Sequence, residues 1–136
     1  MLTEQIEPII IEVLTETVSP YLIYLFGSTV AGHVHQDSDI DIAFLSDQKQ
    51  LDHYERFMVA QELASRLHRD VDLVDLKQAS TVFQAQVVSN GKVIYCTNEQ
   101  KKAEYEWRAL KMYAKLNEER TEILRNINES GSVYEK

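Results

Sequence analysis

The chain has 136 residues, of which 44% are hydrophobic and 26% charged, which is the composition of one globular domain with a buried core. Its 14 Lys and Arg residues stand against 22 Asp and Glu residues, so the formal net charge is −8. A chain this acidic repels nucleic acid unless its basic residues are gathered on one face. We therefore expect no direct nucleic-acid partner.

Two further features bear on where the protein works. Cys96 is the single cysteine and cannot close an intrachain disulfide, and no basic segment followed by an apolar segment opens the chain. Residues 17–36 carry no charge, but their continuous apolar run from Tyr21 to Phe26 has the length of a strand and not of a membrane span. These features predict a cytoplasmic protein without a membrane partner.

The first predicted elements are a helix and a buried strand. Apolar residues at helical spacing follow a cap at Thr3, and this helix should end before Ser19 and Pro20. Tyr21 to Phe26 is apolar on both faces, which predicts a central strand that stops at Gly27 and Ser28.

A second strand begins at Asp39 and alternates strictly between acidic or small residues and large apolar ones. Asp39 and Asp41 fall on one face, and Ile40 and Ile42 fall on the other. The strand should therefore have one dry face and one acidic face.

The rest of the chain alternates helix and strand. In chain order we predict a helix from Asp52 to His68, a strand from Val71 to Leu76, a helix from Ser80 to Ser89, a strand from Lys92 to Tyr95, and a long charged helix to about Asn128. Asp52 with Glu55, and Thr97 with Gln100, have the form of capping boxes, and Asn90-Gly91 predicts a left-handed helix stop.

This element order predicts an α/β fold, with helices on the faces of a sheet. No repeat and no linker divides the chain, so we expect a single domain. Its core would be residues 1–96, and residues 97–136 would add the C-terminal helix and tail of that domain.

The candidate functional residues are Gly27 and Ser28, at the end of the first strand, and Asp39 and Asp41 on the second. Glycine lets backbone amides approach a phosphate closely, and the serine hydroxyl adds a donor, so this turn suits a polyphosphate. Asp39 and Asp41 project in parallel from one strand, which suits a hard divalent cation such as Mg²⁺ that also binds phosphate oxygens. Without a metal, the two carboxylates would repel each other.

Gly27-Ser28, a ten-residue spacing, and Asp39-x-Asp41 together resemble the minimal nucleotidyltransferase (MNT) group of the DNA polymerase β-like nucleotidyltransferase superfamily. The resemblance covers about residues 5–96 and implies a nucleotidyltransferase-like small mixed β-sheet flanked by α-helices. In that family a third carboxylate on a later strand completes the metal site. Asp72 matches its position, although Asp70 lies on the same strand face and side-chain alternation alone does not separate the two.

The resemblance also implies roles for these residues and an enzyme class. Asp39, Asp41 and Asp72 would be the catalytic and Mg²⁺-binding residues, and Gly27 and Ser28 would bind the β- and γ-phosphates of ATP. The protein would then be a nucleotidyltransferase, with ATP as substrate and Mg²⁺ as cofactor.

Stand-alone chains of this size resemble the antitoxin half of HEPN/MNT toxin–antitoxin pairs, in which AMP passes from ATP to a tyrosine of a HEPN-type ribonuclease. We therefore expect a protein adenylyltransferase that forms a hetero-oligomer with its cognate HEPN-type toxin. The helix that carries Trp107 and Tyr113 could dock on that toxin or pack on its own sheet. Two other functions stay open, namely transfer to a small hydroxylated acceptor such as an antibiotic, and a non-catalytic binding antitoxin.

Overall fold

A computed structural model describes residues 3–27 and 39–130 of the chain. Within these residues, four helices and four strands follow one another in the predicted order. The helices are α1 (Thr3–Thr17), α2 (His53–Leu67), α3 (Thr81–Asn90) and α4 (Glu99–Ser130), and the strands are β1 (Leu22–Phe26), β2 (Ile40–Leu45), β3 (Val71–Asp75) and β4 (Lys92–Cys96). A short 3₁₀ turn, Leu76–Gln78, follows β3. The predicted α/β class is confirmed.

The four strands form one mixed sheet in the order β3-β2-β1-β4. The central strand β1 is antiparallel to both β2 and β4, and β2 is parallel to β3. Parallel neighbours need a crossover connection, and α2 supplies it between β2 and β3. Because of these directions, the end of β1 and the starts of β2 and β3 meet at one end of the sheet.

Each face of the sheet carries its own hydrophobic cluster, because side chains alternate along the strands. On the first face, strand residues including Ile23, Ile42 and Leu73 pack with residues of α1 and α2 such as Ile10 and Leu63. The second face packs against α3 and α4 through Leu22, Tyr24, Ala43, Leu45, Val87, Tyr105 and Ala109. Asp41 of β2 and Asp72 of β3 belong to this second face.

The start of α2 follows the sequence prediction closely. Asp52 accepts a hydrogen bond from the Glu55 backbone N–H at 2.7 Å, and the Glu55 carboxylate accepts one from the Asp52 N–H at 3.1 Å. This reciprocal capping box is confirmed. The helix ends at His68, which adopts the left-handed conformation with φ 57°.

The left-handed stop predicted at Asn90-Gly91 is wrong. Gly91 has φ −78° and ψ 165°, which is extended backbone that any residue adopts. A glycine is needed there for space, because a Cβ would lie 2.5 Å from the Val87 carbonyl oxygen and 3.1 Å from that of Leu25. The close approach of α3 to β1 therefore explains this glycine.

The capping box predicted for Thr97 and Gln100 is also wrong, and the cap is displaced by one residue. Helix α4 begins at Glu99, and Asn98 accepts a hydrogen bond from the Lys101 backbone N–H at 3.1 Å. A lysine at the third helical position has no carboxylate with which to return the bond, so this cap is one-sided.

Helix α4 has 32 residues, and at about 1.5 Å per residue it is about 48 Å long. Tyr105 and Ala109 are its buried side chains, and the Tyr24 hydroxyl of β1 donates a 2.7 Å hydrogen bond to Glu106. Trp107 is 64% exposed and lies on the outward side, so packing of this tryptophan on the sheet is ruled out. In the part of the chain that the structure describes, no helix is long and apolar enough to cross a membrane.

Candidate functional site

The candidate site lies where β1 ends and where β2 and β3 begin. In the sheet register, Phe26 pairs with Asp41 across the antiparallel β1–β2 ladder. Asp41 in turn pairs with Asp72 across the parallel β2–β3 ladder. Paired residues on neighbouring strands project to the same side, so the carboxylates of Asp41 and Asp72 face each other across about 5 Å of sheet.

Asp39 stands directly before β2, two residues from Asp41, and its side chain is exposed. Asp72 is also exposed, whereas Asp41 is half-buried. Burial raises the pKa of Asp41 to about 6, and the negative charges of Asp72 and Asp39 add to the rise. Of the three acids proposed from the sequence, Asp72 and Asp39 therefore both act electrostatically on Asp41.

Asp70, the alternative third acid, is placed differently. It precedes β3, and its backbone carbonyl accepts a 2.9 Å hydrogen bond from the Ile40 N–H. Asp72 and Asp39, and not Asp70, are the charges that raise the Asp41 pKa. Among the described residues no ion pair joins Asp70 to its neighbour Arg69.

Asp75 has a structural role at the far end of β3. Its side chain is buried, and one carboxylate oxygen accepts a 3.0 Å hydrogen bond from the Lys77 backbone N–H. This bond caps the 3₁₀ turn that follows β3. Asp75 therefore lies away from the acids at the start of the strand.

Gly27 lies directly beside Asp41. Its φ is +64°, in the left-handed region that favours glycine. A Cβ on Gly27 would overlap the Asp41 Oδ2 atom and would lie 3.3 Å from its Cγ. Glycine is therefore required here by both backbone conformation and space. Ser28, the other residue of the predicted phosphate turn, lies outside the described residues.

The donor chemistry of the site suits a hard cation, because it consists of carboxylate oxygens. Within residues 3–27 and 39–130, no three His, Cys, Asp or Glu side chains already converge as metal ligands. Asp39 and Asp72 are exposed and can change rotamer, whereas Asp41 is held beside Gly27. The residues would fit a divalent cation if Asp39 and Asp72 turned towards Asp41.

Asp41→Asn should stabilise the metal-free protein at neutral pH. The folded-state pKa is raised above that of an unfolded aspartate, so the ionised carboxylate costs free energy once the pH exceeds about 6, and the cost disappears below about pH 4. After allowing for solvent screening, we expect Asp41→Asn to raise the free energy of unfolding by about 1–2 kcal/mol at pH 7.5. Thermal melts in EDTA at pH 7.5 and pH 4 measure this stabilisation. An equal difference in melting temperature between variant and wild type at both pH values would contradict the prediction.

The comparisons with known proteins place this arrangement in a family. The family model described as polymerase beta, nucleotidyltransferase, matches residues 9–100. The chain is also 45% identical over 106 residues to the protein adenylyltransferase MntA of Shewanella oneidensis, a match that covers 78% of this chain and 75% of that protein.

Two solved structures of toxin–antitoxin proteins also match the chain. A crystal structure of a toxin–antitoxin with AMP-PNP matches with a TM-score of 0.79 and 43% identity, covering 89% of this chain and 97% of that chain. A structure of the tri-AMPylated Shewanella oneidensis HEPN toxin in complex with its MNT antitoxin matches with a TM-score of 0.75 and 39% identity, covering 91% and 97% of the two chains.

Proposed function

Because the chain belongs to the polymerase beta nucleotidyltransferase family, we propose that it is an Mg²⁺-dependent protein adenylyltransferase that acts as an antitoxin. It transfers AMP from ATP to a hydroxyl, by expectation of a tyrosine, on a cognate HEPN-type ribonuclease toxin and so neutralises the toxin. The observation that carries this proposal is the pairing of Asp41 with Asp72 beside Gly27, in a chain 45% identical to the adenylyltransferase MntA.

The proposal assigns a role to each residue of the site. Asp39, Asp41 and Asp72 would hold Mg²⁺, which when bound would neutralise charge on the phosphates and favour loss of the proton from the attacking hydroxyl. Gly27 and Ser28 seat the β- and γ-phosphates, and the missing side chain of Gly27 leaves room for them beside Asp41.

Asp72 also accepts the proton of the attacking hydroxyl. Its exposure suits this task, because the acceptor must reach it from solvent, whereas the half-buried Asp41 is less accessible. The hydroxyl oxygen attacks the α-phosphorus in line, the bond from the α-phosphorus to the bridging oxygen breaks, and pyrophosphate leaves.

The likeness to the toxin–antitoxin complexes supports the proposed partner. Residues 1–96 would form the nucleotidyltransferase core, and residues 97–136 the C-terminal helix and tail of the same domain. We further propose that the two proteins form a hetero-oligomer in the cytoplasm.

Intact mass spectrometry of the cognate toxin tests the function. The toxin is co-expressed with the wild-type chain or with Asp39→Asn/Asp41→Asn, and only the wild type should add the mass of one or more AMP units. Unmodified but silenced toxin would support the non-catalytic antitoxin instead. An unmodified and active toxin, together with nucleotide transfer to an aminoglycoside-type acceptor, would support the small-acceptor enzyme.

Replacement of Gly27 should damage the phosphate site. Gly27→Val is expected to weaken ATP binding by tenfold or more, because a branched side chain would displace Asp41 and occupy the approach to the turn. Ser28→Ala should cost about 1–2 kcal/mol of binding free energy, as for the loss of one hydrogen bond to a charged group. Calorimetric titration with ATP measures both, and an unchanged affinity in Gly27→Val would show that this turn is not the phosphate site.

A further inference from the structure

A second polar site lies at the opposite end of the sheet from the aspartates. Two adjoining clefts, of about 400 and 360 Å³, share Tyr21, Asp47 and Lys101 as lining residues. Tyr21 precedes β1 and Asp47 follows β2, whereas Gly27 and Asp41 mark the other ends of these strands. Five residue steps, from Tyr21 to Phe26, the partner of Asp41, separate the two sites by about 16 Å.

We call one of these spaces the basic cleft, which is lined by Tyr21, Asp47, Lys77, Gln84, Lys101 and Arg108. In its wall, Asp47 contacts two lysines. One carboxylate oxygen lies 3.3 Å from the Lys77 ammonium, and the other accepts a hydrogen bond from the Lys101 ammonium. Lys101 also lies 4.8 Å from the centre of the Tyr21 ring. One carboxylate therefore orients two cations without neutralising both.

Arg108 adds a third cation from the next turns of α4. It is seven residues beyond Lys101, which is about two helical turns and places both on one flank of the helix. Arg108 lines the cleft beside Gln84 and Tyr105, whose side chains hydrogen-bond to each other at 2.8 Å. Among the ion pairs found in residues 3–27 and 39–130, none involves Arg108.

The local charge is opposite in sign to that of the whole chain. Three cations face Asp47 and Glu104 in the cleft, whereas the formal charge of the chain is −8. The basic side chains are also exposed enough to reach a ligand, since Lys77 and Lys101 are close to half exposed. Basic residues gathered on one face are the condition under which an acidic chain can still bind an anion.

We propose that the basic cleft binds a small phosphate-bearing anion, held by Lys77, Lys101 and the Arg108 guanidinium. A guanidinium presents two parallel N–H donors that match two phosphate oxygens, and the lysines add point charges on either side. The volume of each cleft is that of a pocket for a small molecule of nucleotide size. The site is separate from the carboxylates, so it does not depend on the proposed transferase activity.

The ligand could be inorganic phosphate or the phosphate of a nucleoside monophosphate, and titration by ¹H–¹⁵N NMR distinguishes them. Phosphate, AMP and uncharged adenosine are added in EDTA at constant ionic strength. We expect saturable shifts at the amides of Tyr21, Asp47, Lys101 and Arg108 with phosphate and AMP, and none with adenosine. A lower dissociation constant for AMP than for phosphate identifies the nucleoside monophosphate as the preferred ligand. Shifts that do not saturate, or that adenosine also causes, would overturn the proposal.

Substitutions in α4 distinguish a specific phosphate site from nonspecific electrostatic attraction of the anion to basic side chains. Arg108→Gln should weaken phosphate binding in the cleft by about tenfold, the effect of losing a charge-assisted hydrogen bond. Glu104→Gln should strengthen it by a few fold, because a carboxylate is removed from the cleft wall. Arg125→Gln is the matched control, since this exposed arginine lies farther along α4 and should leave the affinity unchanged. Equal weakening in Arg108→Gln and Arg125→Gln would overturn the proposal.

Discussion

Asp41→Asn and Asp39→Asn are each expected to lower AMP transfer by at least a thousandfold while the fold stays intact. Each change removes one negatively charged oxygen donor from a cation that must neutralise the triphosphate, and positioned metal ions supply several kcal/mol to such reactions. The assay measures transfer to the purified cognate toxin with saturating Mg²⁺ and ATP. Circular dichroism and thermal melts confirm that each variant is folded.

The matched control for these variants is Asp52→Asn, because Asp52 is an aspartate whose cap on α2 an asparagine can also form. It should keep transfer close to the wild-type rate. Activity within about tenfold of wild type in both Asp39→Asn and Asp41→Asn would refute the assignment of the metal site.

Asp72→Asn should lower transfer by 10² or more, because it removes the residue proposed to accept the proton of the attacking hydroxyl. ATP affinity should change little, since two other carboxylates remain to hold the metal. Asp70→Asn should change the rate of AMP transfer little, because Asp70 is not among the charges that act on Asp41. The two substitutions lie two residues apart, one directly before β3 and one within it, so each is a control for the other.

Steady-state kinetics with saturating Mg²⁺, a fixed saturating concentration of toxin and varied ATP decide between the two acids. A loss in kcat with an unchanged KM for ATP is the expected signature of Asp72→Asn. The reverse ranking, with Asp70→Asn inactive and Asp72→Asn active, would move the proton-accepting role to Asp70.

The sequence predicted the elements and the acidic face because these depend on local periodicity. Alternation from Asp39 to Phe44 placed Ile40 and Ile42 in one cluster and Asp41 on the opposite face, and the structure has both there. The pairing of Asp41 with Asp72 was not predictable from the strands alone. It depends on strand order and register, which the crossover through α2 sets.

Two glycines show a different limit of sequence-based prediction. Gly27 and Gly91 both follow elements and both suggest turns, but Gly27 has a left-handed φ and Gly91 is extended. Each is required mainly by what lies next to it, Asp41 in one case and the backbone of α3 and β1 in the other. Such contacts between distant parts of the chain leave no periodic signal in a single sequence.

The outward side of α4 gives the protein an intrinsic optical probe. Trp107 is the single tryptophan, and Lys111 lies 4.6 Å from the centre of its exposed ring. Its fluorescence therefore reports on the solvent side of α4 and not on the two hydrophobic clusters. An unfolding curve followed at tryptophan emission will be less sensitive to loss of the core than one followed by circular dichroism. A shift of that emission to shorter wavelength will indicate that another molecule has covered this side of the helix.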